Sequence, residues 1–316
     1  MQSDTVWGFP LRDAGLGANP IGGSCDRFQF GENWSRFLQL LDETRIRQAE
    51  ISLRAMLSSS LAGKTFLDVG SGSGLFSLAA RRLGARVHSF DYDPLSVACT
   101  AELKRRYFPE DPGWIVERGS ALDAAYLRSL GQFDVVYSWG VLHHTGAMCQ
   151  ALENVEPLVR HGGKLFIAIY NDQGRASRRW TKVKALYNRS AKPLQFLLVL
   201  GVCIATWWKR WVKDFVRLRP FETWRKSGLR RGMSAWYDVV DWTGGYPFEV
   251  AKPEQIFDFY RQRGLVLERM RTEGGDSGCN EFLFSKPSGG PARDCDCACT
   301  LVPACSSCRT TEHRER

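Results

Sequence analysis

Residues 64–74 read Lys64-Thr-Phe-Leu-Asp68-Val-Gly70-Ser71-Gly72-Ser-Gly74, a short apolar run broken by three alternating glycines. Such a run ends as a buried parallel strand does, and a glycine turn lets the backbone approach a ligand closely before a tightly packed helix begins. Outward from it, GLFSLAARRLG (74–84) has helical character and ARVHSFD (85–91) reads as a second strand. A helix over 94–107 leads to a third strand, WIVERG (114–119), and FDVVYSW (133–139) is a fourth. After a helix over 147–159 and a turn at HGG comes a fifth, KLFIAIY (164–170). A helix at 253–264 follows much later, and LVLERMR and NEFLFSK flank GGDSG as a closing antiparallel hairpin. This alternation predicts a doubly wound α/β sheet with helices on both faces.

The second strand ends in Asp91, 21 residues after Gly70. A carboxylate there sits beside the glycine turn and can accept both hydroxyls of a ribose. A nicotinamide dinucleotide is the rival ligand, but its fingerprint needs glycine where Leu75 stands. Asp68, two residues before the first glycine, suits a cationic amino-acid end better than a pyrophosphate.

LDVGSGSG (67–74), FDYDP (90–94), GSALD (119–123), FDVVYSWGVLHHT (133–145) and HGGKLFIAIYN (161–171) stand in order along the chain. In that series the sequence resembles the class I S-adenosylmethionine-dependent methyltransferases, over about residues 60–171 and 252–287. The resemblance implies a Rossmann-like seven-stranded sheet of order 3-2-1-4-5-7-6, its last strand antiparallel, and S-adenosylmethionine as cofactor. It places Gly70 and Gly72 under the methionine portion with Asp68 nearby, counts Ser71 and Gly74 among the cofactor-binding residues, and sets Asp91 on the ribose. Tyr92 is expected against adenine, Ser120 and Ala121 at its edge, and Ser138 and Trp139 at the methionine amino end. Ser120 departs from the family pattern, which carries an acid there, so Asp123 or backbone carbonyls are expected to meet the adenine amino group. His143 and His144 are the candidate general bases for a hydroxyl acceptor, since imidazole titrates near neutrality; packing or helix capping is the competing reading. Tyr170, Asn171 and Asp172 are candidate substrate contacts. No metal site is assigned.

The chain has 316 residues, 44% hydrophobic and 24% charged, with a formal net charge of +9. That balance is globular, neither disordered nor fibrous. Residues 172–231 hold 16 Lys and Arg against three acids, a net of +13, which leaves −4 for the rest. Seven of the eleven tryptophans lie between 173 and 250. Four segments follow: an N-terminal helical region (1–59), the cofactor-binding domain (60–171 and 252–287), a basic Trp-rich helical insert (172–251), and a tail (288–316). Five of ten cysteines crowd that tail; CxC plus CxxC can bind zinc, but a disordered tail is expected because no packed domain accompanies them. The other cysteines are scattered and no secretory signal is visible, so a cytoplasmic setting is expected.

Within the insert, LQFLLVLGVCIATWW (194–208) is 15 residues without a charge, bracketed by Pro193 and Pro220. A bilayer span takes about 20. Beyond it, Trp208, Trp211, Val212, Phe215 and Val216 share one side of a helix. Residues 193–220 therefore read as a lid over the site, as a helix lying on an anionic membrane surface, or as a span. An RNA partner would use the same cations and aromatics, but an uncharged apolar run is a poor nucleic-acid surface. The expected acceptor is small and lipophilic or aromatic, and the insert gives a loose similarity to the ubiquinone-biosynthesis O-methyltransferases. RNA methylation, or a non-catalytic membrane-bound scaffold on the same fold, are the alternatives. Nothing in the sequence sets an oligomeric state.

Overall fold

The computed structural model describes residues 5–6, 9–10, 27–57, 59–227, 234–274 and 278–289. All five cysteines of the tail, and the tail from residue 290 on, lie outside them. Strands β1 (Thr65–Val69), β2 (Arg86–Asp91), β3 (Trp114–Arg118), β4 (Phe133–Trp139), β5 (Val159–Tyr170), β6 (Val266–Arg271) and β7 (Cys279–Ser285) form one sheet of order β3-β2-β1-β4-β5-β7-β6. The first five run parallel, and β7 is antiparallel to both β5 and β6. This is the order and hairpin expected from the sequence.

The strands are apolar on both faces because helices cover both. Leu67, Val69, Val136, Leu165 and Ile167 share one core with Leu152, Ile256 and Tyr260 of helices α6 (Met148–Val155) and α11 (Pro253–Gln262). Phe66, Tyr137, Phe166 and Leu283 share the opposite core with Leu53 and Leu78, from α2 (Glu43–Leu57) and α3 (Leu75–Arg82). Two local readings change. The HGG segment expected as a turn lies within β5, where the register against β4 shifts between Phe133 and Val135. A short helix α5 (Ala124–Leu130), unread in the sequence, starts where Asp123 accepts from the Ala125 and Tyr126 amides at 3.1 and 3.0 Å.

The chain crosses from β5 to α11 through α7 (Arg175–Arg189), α8 (Lys192–Val216), α9 (Glu222–Ser227) and α10 (Ala235–Gly244). Pro193 and the turn before Pro220 bound a single helix, as expected. The insert has its own core: Tyr187, Val199, Cys203 and Val239 pack with Phe28, and Trp207, Trp211 and Trp224 close around them. Trp207 and Trp224 meet edge to face at 4.7 Å between ring centroids. The side expected to carry Trp208, Trp211, Val212, Phe215 and Val216 together is thus divided. Trp211 turns inward against Trp224 and Phe221, while the other four are exposed. Among the described residues, no helix is long and apolar enough to cross a membrane.

Candidate active site

A cavity of about 1610 Å³ opens at the carboxyl ends of β1, β2 and β4, where a doubly wound sheet places its ligands. Gly70 turns the chain there at φ +80°, and its amide and that of Ser71 donate to the Phe90 carbonyl at 2.9 and 3.0 Å. A Cβ on Gly70 would stand 2.4 Å from Val141 Cγ1, so no larger residue fits. Gly74 begins α3 at φ +78°, and a Cβ there would stand 2.8 Å from the Thr100 backbone. Gly74 itself is a packing position, outside the cavity lining.

Two carboxylates flank this turn. Asp91 accepts the Gly72 amide on one oxygen and the Asp93 amide on the other, both at 2.9 Å. Each oxygen keeps capacity for a further hydroxyl donor. Burial pushes the Asp91 carboxyl up to about 6 despite those two bonds. Asp68 is buried, accepts from the Ser77 hydroxyl, and is pushed up to about 7, chiefly by burial. A cationic ligand carrying ribose hydroxyls would relieve both. Tyr92, Ser120, Ala121, Asp123 and Trp139 also line the cavity. The Arg27 guanidinium lies 4.8 Å over the Tyr92 ring.

Ser138 does not line the cavity. It is fully buried, and its hydroxyl donates to the Val69 carbonyl at 3.1 Å, clamping β4 to β1. The two histidines also part company. His143 is fully buried, neither ring nitrogen has a hydrogen-bond partner, and its ring lies 4.1 Å from that of Tyr170. Burial, with His144 and Lys184 nearby, holds it neutral. It packs against Tyr170 and does not line the cavity. His144 lines the cavity, and its Nδ1 stands 2.6 Å from the Pro247 carbonyl. A carbonyl only accepts, so Nδ1 bears the hydrogen and Nε2 carries the lone pair. Burial, then the nearby Lys184 charge, brings its pKa down to about 3.

Tyr170 lines the cavity among His144, Trp242 and Phe248, but Asn171 and Asp172 do not. The Asn171 carbonyl oxygen accepts from the Asn280 amide group at 3.1 Å, and Asp172 accepts the Gly174 amide at 2.8 Å. Both serve the strand-to-helix crossover.

The sequence reading missed the N-terminal wall. Helix α1 (Phe30–Phe37) lies across the glycine turn, and a Cβ on Gly72 would stand 3.0 Å from Trp34 Nε1. Asp93 tethers it by accepting the Gly31 amide at 2.8 Å, and Asn33 donates to Asp241 of α10 at 2.7 Å. Also missed were Glu281, which accepts from Trp139 Nε1 at 2.9 Å, and Thr206, Trp207, Arg210 and Trp242 of the insert. Only the tryptophan enrichment hinted at the last group. Among the described residues there is no cluster of three or more potential metal ligands.

A family model described as a methyltransferase domain matches residues 41–199, just over half of the chain. The chain belongs to the methyltransferase domain family. The glycine cradle and the paired carboxylates fit S-adenosylmethionine, a sulfonium-bearing nucleoside, as cofactor. Curated relatives include a ubiquinone biosynthesis O-methyltransferase from Pseudomonas paraeruginosa, 32% identical over 151 residues, covering 45% of this chain and 58% of that protein. One of the same name from Xanthomonas euvesicatoria pv. vesicatoria is 29% identical over 171 residues, 54% of this chain and 64% of that protein. The chain thus spans less than two thirds of the length of these relatives. Among solved structures, the N-methyltransferase NodS from Bradyrhizobium japonicum with S-adenosyl-l-homocysteine aligns at a TM-score of 0.47 and 16% identity, over 82% of this chain and all of that one.

Proposed function

We propose that this methyltransferase family member binds S-adenosylmethionine in the cavity and methylates a hydroxyl of a small, lipophilic or aromatic acceptor. The observation that carries the reading is Asp91 fastened to the Gly72 amide at 2.9 Å, with Asp68 on the neighbouring strand. One carboxylate faces ribose hydroxyls and the other the cationic amino-acid end. The donor supplies a methyl on an electrophilic sulfonium, and transfer is an in-line displacement governed by alignment. Trp34 and α1 close the cofactor side, while Tyr170, Trp207 and Trp242 wall the acceptor side with aromatic surface. His144 Nε2 accepts the acceptor's hydroxyl hydrogen, orienting the oxygen and taking its proton as the new bond to carbon forms. With so low a pKa it is a weak base, and its main contribution is orientation. Oxygen as the acceptor atom is supported by the similarity to the ubiquinone biosynthesis O-methyltransferases.

Binding of S-adenosylmethionine to wild type and to Asp91→Ala, followed by calorimetry, tests the proposal. A micromolar site weakened at least tenfold by the substitution supports it. No binding by wild type, or equal binding by both, would end it.

A further inference from the structure

Helix α8 has two working faces. Val202, Thr206, Trp207 and Arg210 look into the cavity. On its opposite side Leu194, Leu197, Ile204, Trp208, Val212 and Phe215 are 46%, 59%, 49%, 50%, 54% and 75% exposed. At 100° per residue these six fall within one stripe of about a quarter turn, so they form a continuous apolar ridge about 30 Å long. Leu218 and Phe221, in the turn after the helix, are also exposed, at 90% and 56%. A patch of this extent on the outside of a soluble fold marks a surface that something covers.

Charge says what. Lys209 and Lys213 are exposed along the same helix, and Lys192, Arg217 and Arg219 at its two ends, where Lys192 also meets Glu32 at 3.6 Å and Arg219 meets Glu222 at 3.5 Å. The one acid in α8, Asp214, is spent inside, accepting both the amide and the hydroxyl of Thr223 at 2.7 and 2.6 Å. A second copy of this chain packed face to face would bring these cations together. A nucleic acid would find phosphate contacts but a ridge it cannot wet. Apolar ridge and flanking cations together complement a lipid surface with anionic headgroups.

We propose that the outer face of α8 seats the protein on an anionic bilayer, lying in its surface without crossing it. The 15-residue uncharged run explains why it lies there: about 20 residues are needed to cross. Docking does not depend on catalysis. Its consequence does: resting on the function proposed above, α8 would hold the acceptor side of the cavity against the phase in which a lipophilic acceptor dissolves.

Flotation of the full chain with vesicles of phosphatidylcholine alone, and with one quarter phosphatidylglycerol, tests this. The comparison variant is Leu197→Gln/Ile204→Gln/Val212→Gln, three exposed positions outside the cavity lining, checked for folding by circular dichroism. Wild type should float with the anionic vesicles, at least tenfold less with neutral ones or in 0.5 M salt, and the triple variant at least tenfold less with either. Wild type that stays at the bottom, or a variant that floats equally well, overturns the inference. So does a wild-type dimer that the triple substitution dissolves without any vesicle binding. S-adenosylmethionine affinity, measured on the same two proteins, reports separately on the function: its absence would end that reading and leave the docking result standing.

Discussion

Cofactor affinity should climb steeply with pH between 5 and 7.5. Burial lifts Asp68 from 3.8 to about 7 and Asp91 from 3.8 to about 6. The folded protein therefore disfavours both ionised carboxylates. The unliganded fold loses stability as pH rises from about 4 through these values, on the order of 4 kcal/mol for Asp68, because one pKa unit is about 1.4 kcal/mol. A cationic amino-acid end beside Asp68 and hydroxyl donors on Asp91 favour the ionised forms, so binding releases the protons these groups hold. Affinity then rises about a hundredfold per pH unit below 6, about tenfold per unit from 6 to 7, and is flat above. From pH 5 to 7.5 the gain is on the order of 1000-fold. Calorimetry of S-adenosylmethionine binding in buffers of different ionisation enthalpy counts the protons directly. Asp91→Asn should remove one of them and flatten the slope by one. An affinity constant within threefold across the range, with the same heat in every buffer, would refute the assignment of these carboxylates to the cofactor.

Gly70→Ala places a Cβ 2.4 Å from Val141 Cγ1 at a positive φ, which alone costs about 1–2 kcal/mol, so melting temperature should fall and cofactor affinity drop at least tenfold. Adding Val141→Ala should restore part of both; no rescue would show that the contact is not the cause. His144→Ala should lower kcat by roughly 10- to 100-fold with cofactor affinity unchanged, whereas His143→Leu should leave kcat near wild type, as steady-state rates will show. Lys184 is buried, held down to about 7, and surrounded by Tyr170, Trp242 and Phe248. Its charged form is disfavoured in the fold, and that cost grows as pH falls from about 10 towards 7. Lys184→Met should therefore raise the melting temperature, more at pH 6.5 than at pH 9. A lower melting temperature would mean that the aromatic rings and the Trp242 carbonyl outweigh desolvation. Trp34→Ala should speed cofactor release at least tenfold in stopped-flow, through loss of the wall over Gly72.

The glycine turn and Asp91 were legible because their chemistry is local: strand, turn, helix and acid follow one another within 28 residues of chain, from Asp68 to Leu95. Alternation gave the doubly wound sheet and its hairpin, and the resemblance to the methyltransferase family implied the strand order. What escaped the sequence depends on contacts between distant residues. Nothing near Asn33 announces Asp241, 208 residues later, yet that bond holds α1 over the cofactor side. His143 and His144 are adjacent and identical, and only the packing of Tyr170 and Pro247 around them buries one ring apart from the cavity. Tryptophan enrichment in the insert looked interfacial; in the fold Trp211 and Trp224 pack against the insert's core, Trp207 packs there and lines the cavity, and Trp208 is exposed. Asn171 and Asp172 follow a strand end that does face the cavity, but the chain turns away after Tyr170 to pair Asn171 with Ala251.

Methyl transfer from this cavity to a small lipophilic hydroxyl leaves a mark that can be followed by mass. Incubating the purified chain with S-adenosylmethionine bearing a deuterated methyl and fractionated cell extract, then analysing each fraction by mass spectrometry, tests it most directly. A lipid-soluble species heavier by one deuterated methyl, formed by wild type and absent with Asp91→Ala, is the predicted result. Label found only in RNA, or in no fraction although S-adenosylmethionine binds, would contradict it.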